Sequence, residues 1–488
     1  MNSSKLPPIV QESIFSDNMI SNVTEEISIL PGTVFINSSM PDFTQTEKPE
    51  SHMIEKECGT SSRPSRIQKI MQVIKGRVNT HDNRCLFCPI CNSPLSHNGT
   101  LIASLKHIPI GGEYTELLVS RDRFVCSNDE CRYFWDEPIP FKSASHFHTI
   151  PAENYAMDLL RLGHTLKDVS IITGLGKNVI KAIDKKRLEN LYTINGEGKE
   201  LTRPTESAKH LGIDEFLLHK GHKYATIIMD LDTGHVLYLA HGKKKQVVYD
   251  FVEWIGMDWM KGVEALACDM NSDYEEAFHE KCPWIKTVFD RFHLIKNFND
   301  KVISEVRKDE QKRLMEEGNT EAAKALKGSK YIMCSNASTR AARSADARED
   351  KVIQESGGLF NRPEVKRKRD YESEYEKLIK ENKLFFTIDL IKEKLEKAYN
   401  AKTVRSMKIH INRIIRLCNE TDNTHFKWFA RLLENHKDGI INHAIFHISS
   451  GKVEGTNNMI KTLRRKSYGY DDDDYFFLKI IDASRRFS

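Results

Sequence analysis

A chain of 488 residues, 39% hydrophobic and 29% charged, is long enough for two to four domains and carries enough apolar material for a large core. No stretch approaches the ~18 apolar residues of a membrane span, and the first thirty residues hold acids where a secretory leader needs a basic start, so a cytoplasmic chain with no membrane partner is expected. The net charge of +4 is unevenly spread: residues 1–60 hold nine acids and three bases, which leaves +10 on the remainder, a basic body that favours polyanionic partners.

Residues 1–60, rich in Ser, Thr, Asn, Pro and Glu, read as a mostly disordered acidic tail. Ile67, Ile70, Met71 and Ile74 recur at helical spacing in a basic stretch, which predicts a short amphipathic helix within 61–84. Residues 85–141 combine five cysteines with strand-like runs at 101–110, 116–119 and 123–125. Helices broken by Gly163 and Gly174-Leu175-Gly176 follow over 151–192, then a polar linker over 193–209. From 210 the pattern changes to three strands (211–218, 224–230, 236–241) close enough for an antiparallel meander. Val247, Val248, Phe251, Val252 and Ile255 mark a helix face. A strand at 263–268, a helix at 274–280, a strand at 285–289 and a charged helix from Phe292 complete the order β-β-β-α-β-α-β-α. That order predicts a ribonuclease-H-like core over 210–310. A helical insertion over 311–447 and a final helix pair within 448–488 would complete an α/β multidomain chain.

Cys88-Pro-Ile-Cys91 is followed 35 positions later by Cys126, and Cys131 closes the set. Two tight cysteine turns separated by strands suit a tetrahedral thiolate site, so a zinc ribbon with structural Zn²⁺ is expected over 85–141. Cys85 lies three positions before Cys88 and could displace either of the first pair; Pro89 and the Asn-Ser-Pro that follows Cys91 favour Cys88 and Cys91. Cys58, Cys268, Cys282, Cys334 and Cys418 are scattered and read as ordinary thiols.

Residues 165–173, the Gly174-Leu175-Gly176 turn and the basic run that follows read as a helix-turn-helix, with domain bounds 142–209. Lys177, Lys181 and Lys185, with Lys186 and Arg187, are expected on the outer face of its second helix, against DNA phosphates. The competing reading is a helical hairpin with a solvated basic face.

Asp214 lies in the first strand of the meander, and Asp269 directly follows the fourth strand. In this order strands one and four are neighbours, so the two carboxylates would face each other at one sheet end and favour a cation between them. Glu454 heads a late helix on which Asn458, Lys461 and Arg465 share its face, suited to metal binding beside a DNA backbone. Asp290 ends the next strand and competes for the third position, or else supports the site, with His293 near DNA. Asp230 and Asp232 read as a hairpin turn and residues 471–474 as a helix start.

Together these stretches resemble the ISL-three family of insertion-sequence transposases. The resemblance is carried by Cys88-Pro-Ile-Cys91, Arg123-Phe-Val-Cys-Ser-Asn-Asp-Glu-Cys131, Gly212-Ile-Asp-Glu-Phe216 and residues 224–234. It continues in Val288-Phe-Asp-Arg-Phe-His293, Val453-Glu-Gly-Thr-Asn-Asn-Met-Ile-Lys461, Arg465 and Tyr468-Gly469-Tyr470. It covers roughly 85–487 and implies an acid-triad enzyme acting on terminal inverted repeats and target DNA with Mg²⁺, the triad being Asp214, Asp269 and Glu454. Two Mg²⁺ ions about 3.5–4 Å apart would bridge the scissile phosphate. The expected protein works as a homo-oligomer on DNA, at the nucleoid. The rival readings are a nuclease on the same fold and a DNA-binding regulator that has lost catalysis.

Overall fold

In the computed structural model, which describes residues 40, 42–57, 66–80, 86–270, 273–348, 369–467 and 470–486, the chain divides into two units, Met1–Arg187 and Leu188–Ser488.

The first unit is built on six strands: β1 (Phe43–Gln45), β2 (Glu50–Glu57), β3 (Arg66–Val78), β4 (Leu95–Ile110), β5 (Glu113–Cys126) and β6 (Phe134–Asp136). They run in the order β1-β3-β5-β4, with β2 beside β3 and β6 beside β5. β3 pairs parallel to β5, and the other pairs are antiparallel. The helix expected within 61–84 is therefore the strand β3. Ile67, Ile70 and Ile74 fit a helical period, but β-branched residues also favour extended backbone, and partners on both edges decide the outcome. Gly76 makes room for a crossing ring: a Cβ there would lie 2.2 Å from Phe43 Cζ. Within the tail expected to be disordered, residues 43–45 and 50–57 are strands of this sheet.

The short strands expected at 101–110, 116–119 and 123–125 belong to β4 and β5, a long hairpin turned by Gly111 and Gly112 at φ 62° and 84°. The sheet thus reaches back to residue 43, well before the expected boundary at 85. Its core gathers Phe43, Ile74, Val78, Leu105, Leu117 and Val119. Three helices follow, Ile150–Arg161, Leu166–Thr173 and Lys177–Tyr192, the last of which ends past the Arg187 boundary. Thr165 accepts a hydrogen bond from Asp168 N and Asp168 accepts one from Thr165 N, both 3.1 Å, so the two ends of a capping box start the second helix. Gly174 ends it at φ 77°. Ala156, Leu160, Val169, Leu175, Ile180 and Ile183 bind the three together.

The second unit holds β7 (His210–His219), β8 (Lys223–Asp230), β9 (Val236–His241), β10 (Ala265–Cys268) and β11 (Lys286–Phe289) in the order β11-β10-β7-β8-β9. β7, β8 and β9 form an antiparallel meander, and β10 is parallel to both β7 and β11. One face of the sheet, with Ile213 and Leu266, packs on the Lys245–Ile255 helix through Phe251 and Val248. The same cluster continues into Ile388, Ile411 and Phe429 of the helical segment. Those helices share the core of the sheet and are not a separately cored insertion. The opposite face, with Ile227, Met229 and Ala267, is covered by the Gly451–Lys466 and Asp473–Arg485 helices through Val453, Ile460, Phe476 and Ile480. Strand and helix come closest at Gly212, where a Cβ would lie 2.6 Å from Val453 Cγ2. No described helix is long and apolar enough to cross a membrane.

Candidate functional site

Two backbone turns bring four cysteines to one point in the first unit. After Cys91 the chain turns at Asn92 (φ 58°), and after Cys131 it turns at Arg132 (φ 52°). In the first turn Ile90 N donates to Cys88 Sγ (3.4 Å) and in the second Asn128 N donates to Cys126 Sγ (3.4 Å). Cys88 and Cys131 sulfurs are 3.6 Å apart and those of Cys91 and Cys126 3.4 Å. All four lie within 4.8 Å of one another and can hold a metal ion. A tetrahedron with Zn–S bonds of about 2.3 Å has edges of about 3.8 Å, close to these separations, whereas a disulfide needs about 2.05 Å. Hydrogen bonds with Ser93 lower the Cys91 thiol to about 6. Burial pushes Cys131 up to about 12 and raises Cys126 as well. Cys85, the expected complication, lies outside the described residues.

The basic helix Lys177–Tyr192 departs from expectation in which charges it exposes. Lys177 and Lys186 are exposed, whereas Lys181 and Lys185 are half-buried. Arg187 is buried and pairs with the buried Asp184 at 2.9 Å. Arg187 follows the core residue Ile183 by four positions, so it takes the inner face. The outer stripe is Asn178, Ala182 and Lys186, with Lys177 beside it.

In the second unit the acids are placed by strand register. Ala265, Leu266 and Ala267 of β10 stand opposite His210, Leu211 and Gly212 of β7, a constant offset of 55 positions. Two residues further, the same offset puts Asp269 level with Asp214. On the other side of β10, Cys268 pairs with Phe289, so Asp290 comes to the same level. Side chains alternate along a strand, so Asp214 shares the face of Gly212, the face that Val453 covers.

Asp214 is half-buried. Its Oδ1 accepts from Glu215 N (2.8 Å) and its Oδ2 from Asn457 Nδ2 (2.8 Å). Burial pushes its carboxyl above the ordinary range and the charge of Asp269 adds to this; the Glu215 amide, His293 and Asn457 oppose it. Glu215 is raised too, by burial first and then by Asp214. His293 Nδ1 lies 3.5 Å from Asp269 Oδ2. Asp290 is buried and serves as a fastener: Oδ1 accepts from Phe292 N (2.9 Å), and Oδ2 accepts from Ser450 N (3.0 Å) and from the Ser450 hydroxyl. It ties β11 to the residue that begins the Gly451–Lys466 helix.

Glu454, Asn458, Lys461 and Arg465 are all exposed on that helix, on one face as expected. Among the described residues the cysteine cluster is the only group of three or more potential ligands within 4.8 Å. Asn457 meets Asp214 and His293 meets Asp269, while Glu454 stands about one helical turn before Asn457. Asn457 and Ser450 escaped the sequence reading. The signal for Asn457 was there: it falls with Val453 and Ile460 at i, i+4, i+7, a polar residue in the buried stripe. Asp230 makes the expected turn, accepting from Asp232 N (2.8 Å) and from the Thr233 hydroxyl (2.7 Å). Asp472 caps the last helix by accepting from Tyr475 N (3.0 Å), and Asp473 contacts His219 at 2.8 Å.

Residues 211–480 match the ISL3 family of transposases. The transposase for insertion sequence element IS1001 of Bordetella parapertussis is 26% identical over 310 residues, covering 63% of this chain and 67% of that protein. The transposase for insertion sequence element IS1557 of Mycobacterium tuberculosis is 22% identical over 265 residues, 54% of this chain and 57% of that protein. The chain therefore spans about two thirds of the first relative's length and just over half of the second's.

Proposed function

We propose, from the premise that the chain belongs to the ISL3 transposase family, that it binds the terminal inverted repeats of an insertion sequence and cuts and joins DNA strands by metal-dependent phosphoryl transfer. The observation that carries this reading is the register that sets Asp269 level with Asp214, on the face covered by the helix bearing Glu454. The strand order β11-β10-β7-β8-β9 supports a ribonuclease-H-like core.

Mg²⁺ is the cofactor the reading implies, and the donors fit it: two neighbouring carboxylates, one raised by burial and by the other's charge, gain from a hard cation. Asp214 and Asp269 would hold it, with Glu454 completing the set. When bound, Mg²⁺ would supply charge stabilisation to the phosphoryl transition state. Asn457 orients Asp214, His293 stands against Asp269, and Asp290 fixes the start of the Glu454 helix. Asn458, Lys461 and Arg465 continue from Glu454 along the exposed side, placed for a DNA backbone. Zn²⁺ on Cys88, Cys91, Cys126 and Cys131 would hold the ribbon-like end of the first sheet, and the three helices after it would read the DNA ends.

The test is Glu454→Gln in a strand-cleavage assay with end DNA and Mg²⁺. Binding to the terminal repeats should survive, and cleavage should fall by several orders of magnitude, as when an electrostatic clamp on a phosphoryl group is lost. Cleavage at the wild-type rate would remove Glu454 from the site.

A further inference from the structure

We propose that the helical part of the second unit holds a pocket for one nucleotide of a DNA strand, its phosphate on Lys301, Arg307 and Arg431 and its base against Trp428. The pocket is a cavity of about 730 Å³, a size ordinary for small-ligand sites. It lies where the wide π-helical turn Phe298–Ile303 and the helix Ser304–Glu316 meet the helix Thr424–Asn435. Turns of this kind inside helices recur at functional sites.

The charge in the wall is one-sided. Its two acids are taken up by lysines, Glu305 by Lys308 at 2.7 Å and Asp300 by Lys330 at 3.2 Å. Lys301, Arg307 and Arg431 remain as positive charge in excess. The Arg307 guanidinium is held in place, Nη1 donating to Leu326 O (3.0 Å) and Gln311 Oε1 (3.3 Å). Its Nε and the Ser304 hydroxyl are both buried with no hydrogen-bond partner among the described residues, and Ser304 is only 5% exposed. A buried donor without an acceptor is costly, so these two groups gain from an acceptor that settles in this wall. A phosphate among the exposed Lys301 and Arg431 supplies the negative charge these cations lack, and its oxygens are the acceptors that a small shift of Ser304 or Arg307 would bring within reach. Trp428, half-buried in the same wall, adds the flat apolar surface that an inorganic anion does not need and a nucleobase does.

The inference rests on the transposase reading only for the source of the strand, and binding measured without Mg²⁺ separates the two. Full-length protein is titrated with 5′-phosphorylated tetrathymidylate, with thymidine monophosphate and with inorganic phosphate, following tryptophan fluorescence. Both nucleotides should quench, the tetranucleotide binding at least as tightly as the mononucleotide, while phosphate competes without quenching. Trp428→Phe should abolish the quench while keeping an aromatic face for the base, and Trp428→Ala should weaken nucleotide binding about tenfold, as expected for loss of one base–aromatic stack. Arg431→Ala, at an exposed position that leaves the core untouched, should weaken both the tetranucleotide and phosphate. The same quench should appear in Glu454→Gln protein, whatever that variant does to cleavage. An undiminished quench in Trp428→Phe, no tighter binding of the mononucleotide than of inorganic phosphate, or no effect of Arg431→Ala would each overturn the proposal.

Discussion

His107 shows what a single buried side chain does to the pH response. It is 1% exposed, its Nδ1 lies 2.8 Å from the Thr149 hydroxyl, and burial lowers its pKa from 6.5 to about 4. Below 6.5 the unfolded chain takes up a proton that the folded chain refuses. The stabilisation is therefore complete above pH 6.5 and is lost as pH falls toward 4, up to about 3 kcal/mol at 1.36 kcal/mol per pKa unit. Melting temperature against pH should show the fall over that window, and His107→Gln, which keeps a polar partner for Thr149, should flatten it. An identical slope in the variant would assign the loss to other groups.

An element fixes which of its charges it can offer to DNA. On the Lys177–Tyr192 helix the exposed lysines are Lys177 and Lys186. Replacing both with Ala should reduce the salt slope of end binding by about two units, since each phosphate contact contributes about one. Replacing the half-buried Lys181 and Lys185 should change it less. Equal effects of the two pairs would mean that the helix meets DNA by another face. The same helix marks the limit of what a sequence discloses: five basic residues are visible in it, yet Arg187 turns inward to Asp184 because Ile183 sets the buried face. β3 marks another, since Ile67, Ile70 and Ile74 satisfy two periods and only the flanking strands choose. The strands and helices from 210 to 290 were legible because short apolar runs bounded by well-placed turns leave one reading. Asp214 and Asp269 were legible as neighbours because the element order sets the first and fourth strands of this sheet side by side. Glu454 was legible as a member of a polar face, but the contact to Asp214 is made by Asn457, one helical turn on, which only packing discloses.

At the scale of the whole molecule, the two units have separate apolar clusters. Calorimetry should therefore resolve two unfolding transitions. If the four cysteines hold zinc, a strong chelator should lower one transition and leave the other in place, and Cys126→Ser should do the same with loss of stoichiometric metal by elemental analysis. A chelator that moves both transitions, or neither, would break the link between the cysteine cluster and the first unit. The helical segment that shares its core with the second sheet should melt with that sheet, as one transition.

Gly212 bears on how copies of such an element are judged. Its hydrogen is all that separates β7 from Val453 Cγ2 and Leu231 Cδ2, which a Cβ would approach to 2.6 and 2.7 Å. A single change to Ala would force Leu231 and Val453, and with Val453 the helix that carries Glu454, to give way, while every acid stayed in the gene. A survey of genomes that counts copies by their intact acids would score such a gene as competent. The census of working copies has to include a residue with no side chain at all.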